Sequence, residues 1–322
     1  MTKKKKVLIT GIAGFVGSHL ARRLYADFEL HGFHIDGNLG NLAGMAEGIH
    51  LYKCDLLDSE TLSGVVARVR PDVLFHLAAF SAPSLSVAAP HETLRVNVFS
   101  TLNLLEAVRH NSAHTVVVNI GSGDEYGDVR PQDLPITEAT ELRPVNPYAV
   151  SKVAQDMLGF QYFKSYGVKV VRCRPFNHYG ARQSEHFAAP AFAKQIAAIE
   201  AGLSEENTIK VGNLESARDF LDVRDVVSAY TLLMEKGVYG EVYNICSGRP
   251  VKIRTMLETL LSFSKVKIDV SVDPARIRPN EVITSVYGDN ARLSSLGWSP
   301  RISLEEGLKD LLKYWRLRSA GV

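Results

Sequence analysis

Val7-Leu8-Ile9-Thr10-Gly11-Ile12-Ala13-Gly14-Phe15-Val16-Gly17 reads as a short buried strand, a glycine turn and the start of a helix. Leu20, Leu24 and Phe28 continue it at helical spacing. Glycine lets the chain turn tightly and lets its backbone come close to a pyrophosphate. The helix N-terminus then offers free N–H groups and a partial positive charge. A lone glycine triplet says little. Between a strand and a helix, it points to dinucleotide binding.

Outward from this turn, strands and helices alternate. Helices are expected at 18–28, 61–70, 93–110 and 147–166, and strands at 28–35, 73–77, 115–120 and 168–173. Strict alternation implies a parallel sheet covered on both faces. Past Pro175 the rhythm changes, with helices expected at 190–201, 223–234, 253–263 and 304–315 and strands at 208–211 and 268–272. The expected fold is α/β: a Rossmann-type, doubly wound parallel sheet with a smaller C-terminal α/β lobe for substrate. Residues 1–174, with 215–235 returning, would form the dinucleotide-binding domain. Residues 175–214 and 236–322 would form the second lobe.

The 322 residues suffice for about two domains or one large α/β unit. A hydrophobic share of 46% against 22% charged is that of a soluble globular chain. The net charge of +2 gives no reason to expect nucleic acid as partner. Lys3-Lys4-Lys5-Lys6 reads as a solvated lead-in to the first strand. Cys54, Cys173 and Cys246 form no CxxC pair, which fits a reducing compartment and argues against a disulfide framework or a zinc site. No apolar run is long enough for a secretory core or a membrane span. A cytoplasmic protein is expected.

Asp36 follows the second expected strand, where a carboxylate can accept hydrogen bonds from ribose hydroxyls. It favours NAD, since no Arg stands beside it. A plain loop aspartate is the competing reading, so NAD and NADP both stay open. Tyr148-Ala149-Val150-Ser151-Lys152 lies on an expected helix, where residues four apart share a face. An ammonium beside a phenol favours the phenolate and would lower the tyrosine's pKa, preparing it to exchange a proton with an alcohol. Ser122 follows the strand Val116-Val117-Val118-Asn119-Ile120. Ligands of open α/β sheets sit at such carboxyl ends.

Glycines spaced three and three apart, with Ser122, Tyr148 and Lys152 in this order, resemble the extended short-chain dehydrogenase/reductases, the NAD-dependent epimerase/dehydratase family. The resemblance spans Val7 to about Trp315. It implies that Gly11, Gly14, Phe15, Val16 and Gly17 cradle the cofactor, and that Ser122, Tyr148 and Lys152 are catalytic. Asp55-Leu56 looks like the adenine-edge contact. His76-Leu77-Ala78-Ala79 looks like the fourth-strand motif at the cofactor, and Asn97 matches the family's helical asparagine.

In the second half, Arg174-Pro175-Phe176-Asn177-His178-Tyr179-Gly180 resembles the segment where extended members turn toward the sugar diphosphate, and the segment 210–220 and Arg276-Ile277-Arg278-Pro279-Asn280-Glu281-Val282 resemble the branch acting on GDP-mannose derivatives. By that resemblance Arg218 and Arg278 would grip a diphosphate and Glu281 a ribose. Asn177 and Lys194 would lie along the nucleotide, and Val211 and Asn213 would join the substrate contacts. Guanidinium and carboxylate chemistry suits those roles. Gly121-Ser122-Gly123-Asp124-Glu125-Tyr126-Gly127, then Phe176-Asn177-His178, then Phe192-Ala193-Lys194-Gln195-Ile196, fit best the reductases that move hydride from NAD(P)H to C4 of GDP-4-keto-6-deoxy-mannose, giving GDP-D-rhamnose or its C4 epimer. The resemblance also implies a homodimer built by packing helices 93–110 and 147–166 into a four-helix bundle.

Two rival functions remain. A GDP-mannose 4,6-dehydratase shares the fold and the three catalytic residues, but needs a further acid and base. Gly123 can do no acid chemistry, while Asp124 could serve despite its short reach. Glu125 would point away if the segment stays extended. The other rival is a catalytically silent NAD(P)-binding sensor, which the intact Ser122, Tyr148 and Lys152 set disfavours.

Overall fold

The computed structural model describes residues 4–81, 83–277 and 285–320. Its strands are β1 (Lys6–Thr10), β2 (Glu29–His34), β3 (His50–Lys53), β4 (Val73–His76), β5 (Val116–Ile120), β6 (Lys169–Pro175), β7 (Asn177–Tyr179), β8 (Thr208–Val211), β9 (Ala217–Asp222), β10 (Val242–Ile245), β11 (Pro250–Lys252), β12 (Asp269–Val272) and β13 (Ser285–Val286). The helices are α1 (Phe15–Leu24), α2 (Ser59–Val69), α3 (Pro83–Ala88), α4 (Pro90–Leu94), α5 (Ser100–Asn111), α6 (Pro147–Tyr166), α7 (Ala188–Glu200), α8 (Val223–Lys236), α9 (Ile253–Ser262), α10 (Ala291–Ser294) and α11 (Leu304–Ser319).

Seven strands pair in the order β10-β6-β5-β4-β1-β2-β3, all parallel. After β1 the chain runs outward to β2 and β3, then crosses back to β4 on the other side of β1. The order therefore reverses between β1 and β4, where ligands of open α/β sheets bind. Each face is sealed by helices. Leu20 and Leu24 of α1 pack with Val226, Tyr230 and Leu233 of α8 on one side. Leu62 and Val66 of α2 pack with Leu104, Val108 and Tyr162 on the other. This is the doubly wound sheet expected from the alternating pattern. A separate core joins Phe192, Ile196, Leu257, Leu260, Leu308 and Leu312 of α7, α9 and α11. Beside it lie a small sheet of β7, β9, β11 and β13 and the pair β8–β12.

Three features depart from the sequence reading. The helix expected over 93–110 is interrupted by a π-turn at Arg95–Phe99 between α4 and α5. Strand β9 was not foreseen, because Arg218, Asp219 and Asp222 break its apolar pattern. Nor was β10, a four-residue run broken by Asn244 yet buried throughout. This strand pairs with β6 in the large sheet, so the expected division, which gave all of 236–322 to the second lobe, is corrected there. The returning segment 215–235 is likewise split: α8 packs on the large sheet, but β9 pairs with β7, β11 and β13. Among the described residues, no helix is long and apolar enough to cross a membrane.

Candidate active site

The glycine turn leaves β1 with Gly11 at φ +66°, a left-handed conformation that suits glycine. The Gly14 N–H donates to the Gly11 carbonyl at 2.9 Å. A Cβ at Gly17 would stand 2.2 Å from that carbonyl oxygen, so only glycine lets α1 pack this close. No side chain caps α1, and no acid sits in its first turn. Its leading N–H groups and positive end are thus available to a diphosphate. These features fit the cradle expected of Gly11, Gly14, Phe15, Val16 and Gly17.

The end of β4 is tied to this turn. Thr10 Oγ1 accepts from the N–H groups of Leu77 and Ala78 at 3.0 and 2.9 Å. Ala78 lies so near that a Cβ on Gly11 would meet its backbone at 3.2 Å. Leu77 and Ala78 therefore lie against the glycine turn. Asp36 follows β2 by two residues and is exposed, its carboxylate accepting from the Asn38 N–H. Asp55 is exposed beyond β3, next to buried Leu56. Asn97 is a correction. It is fully buried in the π-turn, and its amide is engaged by both backbone groups of Phe80 and by Ser151 Oγ at 2.8 Å. It ties the loop after β4 to α6 rather than facing the cofactor groove.

Ser122, Tyr148 and Lys152 come together as expected. Ser122 stands two residues past β5 and caps a 3-10 turn over Gly123–Tyr126, with its Oγ accepting from the Asp124 N–H at 3.1 Å. Asn146 caps α6, with Pro147 in its first turn, and this sets Tyr148 on the first turn of the helix. The Ser122 hydroxyl sits beside the phenol and favours its charged form. Lys152 Nζ lies 5.9 Å from the Tyr148 ring centroid and donates to the Ile120 carbonyl at 3.0 Å and to Gln155 Oε1 at 2.9 Å.

The electrostatics differ from the expectation. Burial raises the pKa of the Tyr148 phenol, the nearby Asp124 charge adds to this, and the Ser122 hydroxyl opposes it. The ammonium does not acidify the phenol, because its hydrogen bonds hold it to the backbone and Gln155. Tyr148 is therefore a neutral phenol, a proton donor. Burial lowers Lys152 to about 8 while the Glu125 charge works the other way.

A cleft of about 460 Å³ lies alongside, lined by Asn177, Val211, Asn213, Arg218 and Arg276 among others. It does not include Tyr148 or Ser122. The two regions meet through Phe176, whose ring would lie 3.2 Å from a Cβ on Gly123 and which precedes Asn177. They meet also through His178, a cleft residue whose ring stacks on Phe15 of the glycine turn at 5.8 Å and 14°. Lys194 is exposed, and its ammonium pairs at 2.5 Å with Glu185, a residue at the cleft. Arg278 and Glu281 lie outside the described residues. Arg276, two positions before Arg278, lines the cleft and was not singled out from the sequence. Gly212 admits its segment, since a Cβ there would come within 2.5 Å of the Arg276 carbonyl oxygen.

The model of the family described as GDP-mannose 4,6 dehydratase matches residues 8–311. The chain belongs to this family. Among its relatives is a GDP-6-deoxy-D-mannose reductase of Pseudomonas aeruginosa, 38% identical over 98% of both chains. Another is a UDP-glucose 4-epimerase of Mycolicibacterium smegmatis, 30% identical over 98% of this chain and 99% of the relative. The solved structure of RMD from Pseudomonas aeruginosa complexed with NADPH superposes with a TM-score of 0.85 at 36% identity, covering 98% of this chain and 99% of that one.

In this member of the dehydratase family, a buried ionic network that the sequence did not reveal supports the serine turn. The extended course assumed for Glu125 is corrected. The 3-10 turn carries its side chain inward, where it is fully buried. Its Oε1 accepts from the Ser122 N–H at 2.8 Å, and its Oε2 lies 2.9 Å from Arg174 Nε. Arg174 Nη2 donates to Asp156 at 2.6 Å, and Arg172 adds a bond of 3.2 Å to the same oxygen. Burial and the Asp156 charge push the Glu125 carboxyl up, and Arg174 pulls it down. Two carboxylates and two guanidiniums balance in charge, which is how such a cluster survives burial.

Proposed function

We propose that this chain is a reductase that delivers hydride from NAD(P)H to C4 of GDP-4-keto-6-deoxy-D-mannose, giving GDP-D-rhamnose or its C4 epimer. One observation carries the reading: Ser122, Tyr148 and Lys152 gather at the carboxyl end of β5, with burial keeping the phenol neutral and a glycine following the serine. A protonated phenol is the form that ketone reduction needs. The relative 38% identical to this chain is named for a reduction of this kind.

When bound, the nicotinamide supplies the hydride that C4 receives. Ser122 Oγ–H donates to the C4 carbonyl oxygen and orients it. Tyr148 gives its phenolic proton to that oxygen as negative charge develops. Lys152 would supply positive charge near the phenol and, on exchanging its bonds to Ile120 and Gln155, would hold the ribose of the bound cofactor. Gly11, Gly14, Phe15, Val16 and Gly17 would hold the pyrophosphate, Asp36 the ribose, Asp55 and Leu56 the adenine edge, and Leu77, Ala78 and Ala79 the groove floor. Asn177, Val211, Asn213 and Arg218 would bind the GDP portion with Arg276. Arg278 and Glu281 are kept as substrate ligands on the family resemblance.

Lys152 sets a pH limit. With a pKa of about 8 it is charged below that value and neutral above it, so kcat is expected to fall on the alkaline side with a midpoint near pH 8. A rate unchanged from pH 7 to well above 9 would contradict the role given to this ammonium.

The decisive assay incubates the protein with GDP-4-keto-6-deoxy-mannose and NADPH or NADH and follows absorbance at about 340 nm, where reduced nicotinamide absorbs. Oxidation of the cofactor only with the keto-sugar supports the reductase. Asp124, whose charge Tyr148 feels, is the feature favouring a dehydratase. A 4-keto product from GDP-mannose alone would replace the reductase reading with that one.

We also propose a homodimer formed through α4, α5 and α6. Leu94, Phe99, Val150, Met157 and Phe160 are exposed apolar residues on these helices and their π-turn, and such surface marks an interface. Sedimentation should give the dimer mass for the native chain and the monomer mass for Met157→Asp. A native chain sedimenting as a monomer would rule it out.

A further inference from the structure

At the opposite ends of the strands from the glycine turn lies a cluster with no part in the chemistry above. Glu29 begins β2 and His50 begins β3, the edge strand. His31 and His50 are register partners, and their rings stack with centroids 4.7 Å apart. His31 Nε2 lies 3.0 Å from Glu29 Oε1. One donor atom from each of the three residues lies within 4.8 Å of the others.

The surroundings suit a metal ion. His31 is buried, while His50 and part of Glu29 reach solvent, so an ion has an open side from which to enter. The second nitrogen of His31, Nδ1, lies 3.1 Å from the Tyr52 hydroxyl. Such a partner fixes the ring and its tautomer, since the hydroxyl can accept from Nδ1–H and leave Nε2 free to ligate. We propose that Glu29, His31 and His50 form a binding site for a divalent transition ion of the zinc class, with solvent completing the coordination.

Two imidazoles and a carboxylate are a zinc donor set. Bonds of about 2.0–2.2 Å place tetrahedral donors roughly 3.3 Å apart. The Glu29–His31 pair is already near that spacing, and exposed His50 has room to close the remainder. Lys6 Nζ, 4.0 Å from Glu29 Oε1, competes for the carboxylate and disfavours hard ions, which rely on oxygen ligands. The cysteine count could not signal this site, because its ligands are histidine and glutamate from two strands. A bound ion would clamp the edge strand to β2.

Calorimetric titration of the tag-free full-length protein with zinc chloride tests the proposal, with magnesium chloride as a parallel arm. One zinc ion per chain and no magnesium binding are expected. Zinc binding should vanish in His50→Ala, be lost in Glu29→Gln, and weaken about tenfold in Tyr52→Phe, the usual effect of removing an outer-shell partner. Both His50 and Glu29 reach solvent, so these variants keep the buried ring of His31 in place. Zinc should also raise the melting temperature of the native chain and not that of His50→Ala. Absence of zinc binding, or zinc binding in either ligand variant equal to that of the native chain, would overturn the site.

Discussion

Replacing Tyr148 with phenylalanine is expected to lower kcat by a factor of about 10²–10⁴, the usual contribution of a general acid, while the affinity for NADPH stays near that of the native chain. The phenol lies beside the Ser122 hydroxyl, and its ring sits on the first turn of α6 where phenylalanine fills the same space. The glycine turn that would hold the cofactor's pyrophosphate belongs to β1 and α1 and is untouched by the change. Stopped-flow reduction of the keto-sugar, with cofactor binding followed by fluorescence, separates the two effects. Turnover that survives the substitution would end the assignment of Tyr148 as the acid. Loss of cofactor binding together with turnover would show that the side chain acts through the fold instead.

Glu125→Leu should cost about 3–5 kcal/mol of stability, the range found when one partner of a buried ion pair is removed. The change leaves Arg174 and Arg172 facing a single carboxylate, Asp156, and leaves the Ser122 N–H without its acceptor. Glu125→Gln removes the charge but keeps an oxygen for that N–H, so it should lose less stability and retain more of kcat than the leucine variant. Urea unfolding at neutral pH gives the first quantity and the absorbance assay the second. A leucine variant as stable as the native chain would show that the network contributes nothing net. Equal activity in the two variants would show that Ser122 does not depend on this support.

The sequence by itself determined the frame. Val7 to Gly17 carried the strand, turn and helix because glycine geometry and β-branched burial are local properties. Strict alternation of apolar runs with helical spacing then fixed a parallel, doubly wound sheet. Ser122, Tyr148 and Lys152 were legible because one marks a strand end and the others share a helix face. The tertiary structure alone decided what depends on distant neighbours. Strand β10 is short and carries a buried Asn244, so only its pairing with β6 identifies it. Asn97 looks like a ligand in one dimension, but Phe80 and Ser151 occupy its amide. The raised pKa of Tyr148 and the Glu125–Arg174–Asp156 network arise from burial and from charges brought together over long sequence separations. Local pattern reports backbone geometry and which face is apolar, whereas pKa, ion pairing and a ligand's company are sums over everything within a few ångströms, and only folding sets that list.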